Sequence, residues 1–344
     1  MIVPAHDEEA CIGQTLDSLK RQTDPPDRII VVADNCSDRT ADIALDHGVG
    51  LVATVGNTHR KAGALNQALS QVLGRLRDTD RVLLMDADSV ICDEWLTAAG
   101  NAFDRHPGAG AVCASYRGRE DSTMLGLLQR IEFAREGRRI ARRQARVDVL
   151  TGIATLFEAS VLRAVADARG TVLPGERGDV FLSDSITEDF EITLAVKTLG
   201  YNPIGPKDAR AITEVMPTLK ALRRQRVRWQ RGTLESLLAY GLTPVTRRYW
   251  LVQMMTYGLS LSTPVMLALL AATGWLYGTY YDPRWLLIVP FFFVEQLVFG
   301  WRSGWKARLF LASMLPLYCY DHFRSWVYWL SFVKAVARQE KRWD

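Results

Sequence analysis

The sequence has no Cys-x-x-C pair. Its five cysteines, Cys11, Cys36, Cys92, Cys113 and Cys319, are scattered, which excludes a zinc ribbon and a disulfide scaffold and leads us to expect reduced thiols in a cytoplasmic setting. A glycine fingerprint for dinucleotides is missing too: Gly48, Gly50 and Ala53 match the spacing but precede a strand instead of opening a helix. No secretory leader stands before the first apolar run, Met1-Ile2-Val3-Pro4, so membrane attachment is expected from the other end. Seven arginines between Arg130 and Arg146 come with no nucleic-acid-binding module. Because charge is balanced over residues 1–248, that run reads as a solvated helix beside anionic lipid headgroups, and no nucleic-acid partner is expected.

The chain of 344 residues carries a formal charge of +4, and its charge is unevenly placed. Residues 1–248 hold 33 basic and 33 acidic side chains, whereas residues 249–344 hold 9 and 5, together with 8 of the 10 tryptophans. Such a shift marks two solvents, water and then lipid. From Tyr249 to Tyr281 there is no charged residue, a stretch longer than the roughly 20 residues a bilayer crossing needs. Trp285 to Trp301 and Leu309 to Val333 are read as two further crossings, the last interrupted by Asp321, His322 and Arg324. Arg247 and Arg248 before the first crossing, and Arg302, Lys306 and Arg308 after the second, are expected to put residues 1–248 on the cytoplasmic side under the positive-inside rule. Lys334, Arg338, Lys341 and Arg342 conflict with that rule for three crossings, and a re-entrant last segment would resolve the conflict.

In the water-soluble part, the short apolar runs Ile29 to Ala33, Val49 to Val55 and Arg81 to Met85 read as strands covered on both faces. Between them, Glu8 to Gln22 and Lys61 to Leu76 show helical periodicity. This alternation predicts an α/β fold with a mainly parallel sheet, whose ligands bind beyond the carboxyl ends of the strands. Acidic residues stand at those ends, in Asp7-Glu8-Glu9, Asp34 and Asp86-Ala87-Asp88. Each alone is a common turn or cap, whereas three on one edge suggest chemistry.

Asp86 and Asp88 have the spacing to hold a hard divalent cation with oxygen ligands. Thr187-Glu188-Asp189 opens a helix that stops at Gly200, with Thr187 or Ser185 as its cap and the carboxylates favoured by the helix dipole. Capping explains that cluster, and so does a general base for an attacking hydroxyl. In Gln225-Arg226-Val227-Arg228-Trp229, Arg228 suits a diphosphate and Trp229 offers a flat face for a sugar ring, while a solvated helix beside a membrane accounts for most of the charge.

Taken in order, these motifs resemble those of the family 2 glycosyltransferases, especially the membrane-integrated synthases of poly-N-acetylglucosamine, chitin oligosaccharide, hyaluronan and cellulose. Pro4 to Glu9 is similar to the opening nucleotide-binding motif, Asp34 to the uracil-contacting Asp, and Lys61 to Asn66 to a Lys-x-Gly-x-x-Asn stretch near the diphosphate. Asp86-Ala87-Asp88 is similar to the metal-binding D-x-D, Thr187 to Asp189 to the T-E-D base motif, and Gln225 to Trp229 to Q-x-x-R-W. The segment Thr151 to Phe157 falls where the family lines its acceptor site.

The resemblance implies a GT-A-type nucleotide-sugar-binding domain over residues 1–245, with interfacial helices, and a membrane domain of about three transmembrane helices over residues 246–344. It implies an inverting enzyme, integral to the membrane and facing the cytoplasm, that transfers a hexose or N-acetylhexosamine from a UDP-sugar. The donor would be bound by Ala5, Glu8, Asp34, Lys61, Asp86 and Arg228, with Mg²⁺ or Mn²⁺ at Asp88 and Asp86. Asp189 would be the catalytic base with Glu188 beside it, and Gln225 and Trp229 would hold the acceptor. The acceptor would be a glycan, a polyprenyl phosphate lipid or a protein, and membrane lipid, an oligomeric partner or an accessory subunit would complete the assembly. Q-x-x-R-W favours processive β-glycan synthesis, whereas the lack of an N-terminal crossing favours a single transfer. A membrane receptor that only binds nucleotide sugars is the non-enzymatic alternative.

Overall fold

The computed structural model describes residues 1–121, 123–278, 283–287, 290, 293–294, 298, 304–313 and 315–337. The expected second crossing therefore lies largely outside the described residues, as do Arg302 and the tail from Arg338.

The chain begins with β1 (Ile2–Ala5), α1 (Ile12–Lys20), β2 (Ile30–Ala33), α2 (Thr40–Asp46), β3 (Gly50–Ala53), α3 (Arg60–Val72) and β4 (Arg81–Met85). It continues through β5 (Val90–Ile91), α4 (Trp95–Arg105), β6 (Ala111–Cys113), β7 (Ser115–Gly118), α5 (Met124–Arg142), β8 (Ala154–Glu158) and α6 (Ala159–Ala168). Then follow α7 (Glu188–Thr198), β9 (Arg210–Thr213), α8 (Leu219–Tyr240), α9 (Thr246–Tyr277), α10 (Gly304–Ala312) and α11 (Leu315–Val336).

Six strands form the main sheet in the order β3-β2-β1-β4-β8-β6. The pairs among β3, β2, β1 and β4 are parallel, while β8 runs antiparallel to both β4 and β6. Strand order reverses between β1 and β4, which places the topological switch point, and the crevice beyond it, next to Ala5 and Met85. Alternate side chains of the strands enter different cores. Ile2, Val32 and Leu84 pack with Leu65 and Leu69 of α3, Leu162 of α6 and Ile192 of α7. Val3, Val31 and Met85 pack with Leu16 and Leu19 of α1 and with Trp95 and Phe103 of α4. Full burial of each such side chain contributes on the order of 1.5–3 kcal/mol, so the apolar strand runs are held from both sides. A small sheet, β5-β9-β7, flanks the crevice.

The helix expected from Glu8 is regular only from Ile12, because residues 7–9 bind the β2 loop instead: the Glu8 N–H donates to the Thr40 hydroxyl at 2.7 Å and the Glu9 N–H to Asp38 at 2.9 Å.

Helix α9 has 32 residues, about 48 Å at 1.5 Å per residue, and is long and apolar enough to cross a membrane. Its apolar stretch is exposed, with Leu259, Val265, Leu269 and Trp275 among the uncovered side chains. Over Leu309 to Val333 the chain forms the end of α10 and most of α11. These pack on the preceding part of the protein: Leu311, Leu317 and Tyr320 are buried with Leu127, Leu128 and Ile131 of α5 and Leu222 of α8.

The arginine run on α5 is committed largely to partners within the fold. Arg130 donates to the Asp121 carbonyl at 2.8 Å, Arg139 pairs with Glu136 and Asp148, and Arg143 meets Asp148 at 2.6 Å. Arg139 pairs within the fold and stays half exposed, at 52%.

Candidate active site

At the end of β2, Asp34 is 6% exposed, and its Oδ1 accepts hydrogen bonds from the Thr54 hydroxyl (2.8 Å), Asn57 Nδ2 (2.8 Å) and Asn35 Nδ2 (3.1 Å). Three donors on one oxygen fix the carboxylate's orientation. Asn57 itself explains the glycine after Lys61, since a Cβ at Gly63 would lie 2.1 Å from Asn57 Oδ1. Asp7, Asn35 and Arg60 hold left-handed φ values of +55°, +49° and +54° around this edge, an uncommon backbone state that clusters where geometry is tightly specified.

At the end of β4, Asp86 forms an ion pair with Lys61 of α3, the element just across the switch point. Burial works against the Lys61 charge, but Asp86, Glu188 and Asp189 outweigh it and hold the ammonium above its ordinary pKa. Asp88 is pushed up to about 6, by burial first and by the charge of Asp86 second. Glu8 is likewise raised by burial, opposed by a hydrogen bond from the Cys11 thiol at 3.0 Å. Two crowded carboxylates at a strand end could hold a hard divalent cation, and such a cation would offset the repulsion between them. Gly152 allows the close approach here, as a Cβ on it would lie 3.3 Å from Asp86 Oδ2 and 3.4 Å from Lys61 Nζ.

Facing these groups, Glu188 and Asp189 open α7. Burial raises both carboxyls, against the pull of the Lys61 ammonium. The Phe190 N–H donates to Asp189 Oδ1 at 2.8 Å. Thr187 occupies the cap position, but its hydroxyl accepts no capping bond, and the Ser185 hydroxyl instead accepts from the Thr187 N–H at 3.2 Å. The expected side-chain cap is thus replaced by a turn, because the Thr187 side chain meets Gly232 of α8. The Thr187 hydroxyl, Glu188 Oε1 and Gln225 Oε1 are buried with no hydrogen-bond partner among the described residues. Unpaired polar atoms at a cleft are costly unless a ligand satisfies them.

Helix α8 supplies Gln225, Arg228 and Trp229 from one stretch, and the Arg226 guanidinium lies 4.3 Å from the centre of the Trp229 ring. One face of the indole is therefore covered from within the fold, which sequence reasoning did not foresee.

The residues expected to bind donor, metal and acceptor, Ala5, Glu8, Asp34, Lys61, Asp86, Asp88, Glu188, Asp189, Gln225, Arg228 and Trp229, line one cleft of about 860 Å³, whereas Asp7 and Glu9 lie outside it. Asn66 is the exception within the Lys61 stretch. Its amide clasps the backbone of Val180 and Phe181, accepting at 3.1 and 2.9 Å and donating at 2.9 Å, so it anchors the loop leading to α7 and does not line the cleft. Of the stretch Thr151 to Phe157, Thr151, Gly152 and Ile153 line the cleft while Ala154 onward forms β8. The other wall was not anticipated: Tyr116 of β7, Glu132 and Phe133 of α5, and Arg324 and Tyr328 of α11. No local motif marks these residues, which become neighbours only when α5, α8 and α11 pack together.

Known proteins show the same arrangement of chain. Residues 1–232 match the model of the glycosyltransferase like family 2. The chain is 30% identical over 244 residues to the poly-β-1,6-N-acetyl-D-glucosamine synthase of Staphylococcus epidermidis, an alignment that covers 69% of this chain and 55% of that protein. The synthase of the same name from Staphylococcus aureus is 29% identical over 255 residues, covering 72% and 58%. The chain thus spans little more than half the length of these relatives. Among solved structures, the mannosyltransferase from Pyrobaculum calidifontis in complex with GDP-Man and Mn²⁺ has the same fold, with a TM-score of 0.64 at 19% identity over 98% of this chain and 87% of that one. The α/β fold is thus GT-A-like, and with the family match extending over residues 1–232 of 344, the chain belongs to glycosyltransferase family 2.

Proposed function

We propose that this glycosyltransferase is a membrane-bound, inverting enzyme that moves an N-acetylhexosamine or hexose from a UDP-sugar to an acceptor hydroxyl, with its catalytic part, residues 1–245, facing the cytoplasm. The observation that carries the reading is the single cleft shared by Asp34, Lys61, Asp86, Asp88, Asp189, Arg228 and Trp229. The likeness to poly-β-1,6-N-acetyl-D-glucosamine synthases favours N-acetylglucosamine as the sugar and glycan extension as the outcome.

In this reading Asp34 receives the uracil, and Ala5 and Glu8 line the nucleotide side. Asp86 and Asp88 would hold Mg²⁺ or Mn²⁺, which would supply positive charge against the diphosphate and so ease departure of the nucleotide. Lys61, kept charged by its carboxylate neighbours, and Arg228 attract the same diphosphate from the protein side. Asp189 accepts the proton of the acceptor hydroxyl, whose oxygen attacks the anomeric carbon while the bond to the diphosphate breaks. A single displacement converts an α-linked donor into a β-linked product. Glu188 Oε1 and Gln225 Oε1, buried without partners among the described residues, suit sugar hydroxyl donors, and Trp229 supplies an apolar surface for the acceptor ring. The exposed apolar length of α9 is the basis for membrane attachment.

Incubation of the purified protein with a panel of UDP-sugars, followed by UDP quantitation and mass spectrometry of the product, tests the reading. Release of UDP together with glycan mass increments of one sugar is expected. A panel in which no donor yields UDP contradicts it.

A further inference from the structure

Three helices from distant parts of the chain meet at one carboxylate. Glu132 on α5 accepts hydrogen bonds from Arg226 Nη2 on α8 at 2.9 Å and from the Tyr320 hydroxyl on α11 at 2.7 Å, and Arg324 Nη2 on α11 lies 3.7 Å away. The meeting point is the edge of the apolar seam made by Leu128, Ile131, Leu222 and Leu317. The Arg226 side chain is only 9% exposed, and its Nε has no partner among the described residues, so its charge depends on Glu132 and on the Trp229 ring beneath it. A buried cation that loses its carboxylate is strongly disfavoured and moves toward water if it can. Movement of Arg226 would leave the indole without its backing. Glu132, Arg226, Trp229 and Arg324 all line the cleft, so this network is part of the wall and not a remote support.

We propose that Glu132 is a positioning residue for the acceptor. Through Arg226 it fixes the Trp229 indole, and through Tyr320 and Arg324 it makes the C-terminal helix α11 part of the acceptor wall. The donor half of the cleft is built from β1, β2, β4 and α3, whereas Glu132, Arg226, Tyr320 and Arg324 stand on α5, α8 and α11 and pair with one another, so the donor half is expected to be indifferent to this network. The proposal rests on the reading of Trp229 as an acceptor platform, and it adds that the acceptor site is incomplete without α11.

The test uses the full chain in detergent with a β-1,6-linked N-acetylglucosamine oligosaccharide as the acceptor probe, comparing Glu132→Gln, Glu132→Asp and Trp229→Ala. UDP affinity, melting temperature and the acceptor dependence of UDP release are measured on each sample. Loss of a hydrogen bond to a charged group predicts a rise in acceptor KM of about tenfold or more for Glu132→Gln, with UDP affinity and melting temperature little changed and with partial recovery in Glu132→Asp. An acceptor KM unchanged in Glu132→Gln while Trp229→Ala raises it overturns the proposal and leaves the acceptor role of Trp229 standing. A parallel fall of UDP affinity, melting temperature and transfer in both Glu132 variants also overturns it, because it marks a general structural role. If Trp229→Ala itself leaves acceptor KM unchanged, the acceptor platform fails and this proposal with it.

Discussion

A methyl group at Gly232 would lie 2.4 Å from the Thr187 hydroxyl oxygen. The backbone of α8 is thus pressed against the residue that opens the Asp189 helix. Gly232→Ala inserts a carbon with no room for it, and such overpacking costs on the order of 1–3 kcal/mol. Thermal unfolding should show a lower melting temperature, and sugar transfer should fall further than UDP affinity. An unchanged melting temperature would mean that the two helices separate freely.

A second stabilising contact lies two residues beyond Asp189. Glu191 and Arg169 are both fully buried and pair through two bonds, Nη1 to Oε1 at 2.6 Å and Nη2 to Oε2 at 2.9 Å, with the Tyr240 hydroxyl donating to Oε1 at 2.5 Å. Glu191→Ala strands the Arg169 charge, a loss of about 3–5 kcal/mol by analogy with other broken buried pairs. Denaturant unfolding should register that loss, and a shift under 1 kcal/mol would place the pair among weak surface contacts.

The site was legible where chemistry is local. Asp34, Asp86 and Asp88 follow apolar strands directly, so the parallel-sheet expectation carried them to one edge, and Glu188, Asp189 and the Gln225 to Trp229 stretch joined them in the cleft. What the sequence could not announce depends on packing between distant segments. The antiparallel placement of β8 between β4 and β6, the clasp of Asn66 on Val180 and Phe181, and the encounter of Thr187 with Gly232 all require neighbours more than 40 residues away. The partners of Arg130 and Arg143, Asp121 and Asp148, are close in sequence but lie outside the helix, and those pairings become visible only in the folded chain.

The base assignment makes a pH prediction. Burial raises the Asp189 carboxyl above its ordinary value of about 3.9, although Lys61 opposes the rise. A base acts only when ionised, so activity should be complete above the raised pKa and fall as pH drops through it, at a higher pH than an ordinary aspartate would give. Asp189→Asn should lower turnover by about 10²–10⁴-fold while retaining UDP binding. Turnover within a few-fold of the unaltered enzyme would assign the base to another carboxylate.

Metal dependence should follow the strand-end carboxylates. Asp88→Ala is expected to weaken UDP binding in Mn²⁺ or Mg²⁺ buffers, and EDTA should do the same to the unaltered protein without adding to the defect of the variant. Calorimetric titration with UDP, with and without metal, measures both effects. Equal affinity of variant and parent in the presence of metal would reduce Asp86-Ala87-Asp88 to a turn.

The central claim, sugar transfer by a single inverting displacement in the shared cleft, is tested most directly by the anomeric configuration of the product. The purified protein is given α-linked UDP-N-acetylglucosamine, metal and a β-1,6-linked oligosaccharide acceptor, and the new linkage is read by proton NMR beside the UDP released. The account predicts one β-linkage for each UDP. An α-linked product, or sugar transfer that persists undiminished in Asp189→Asn, would contradict it.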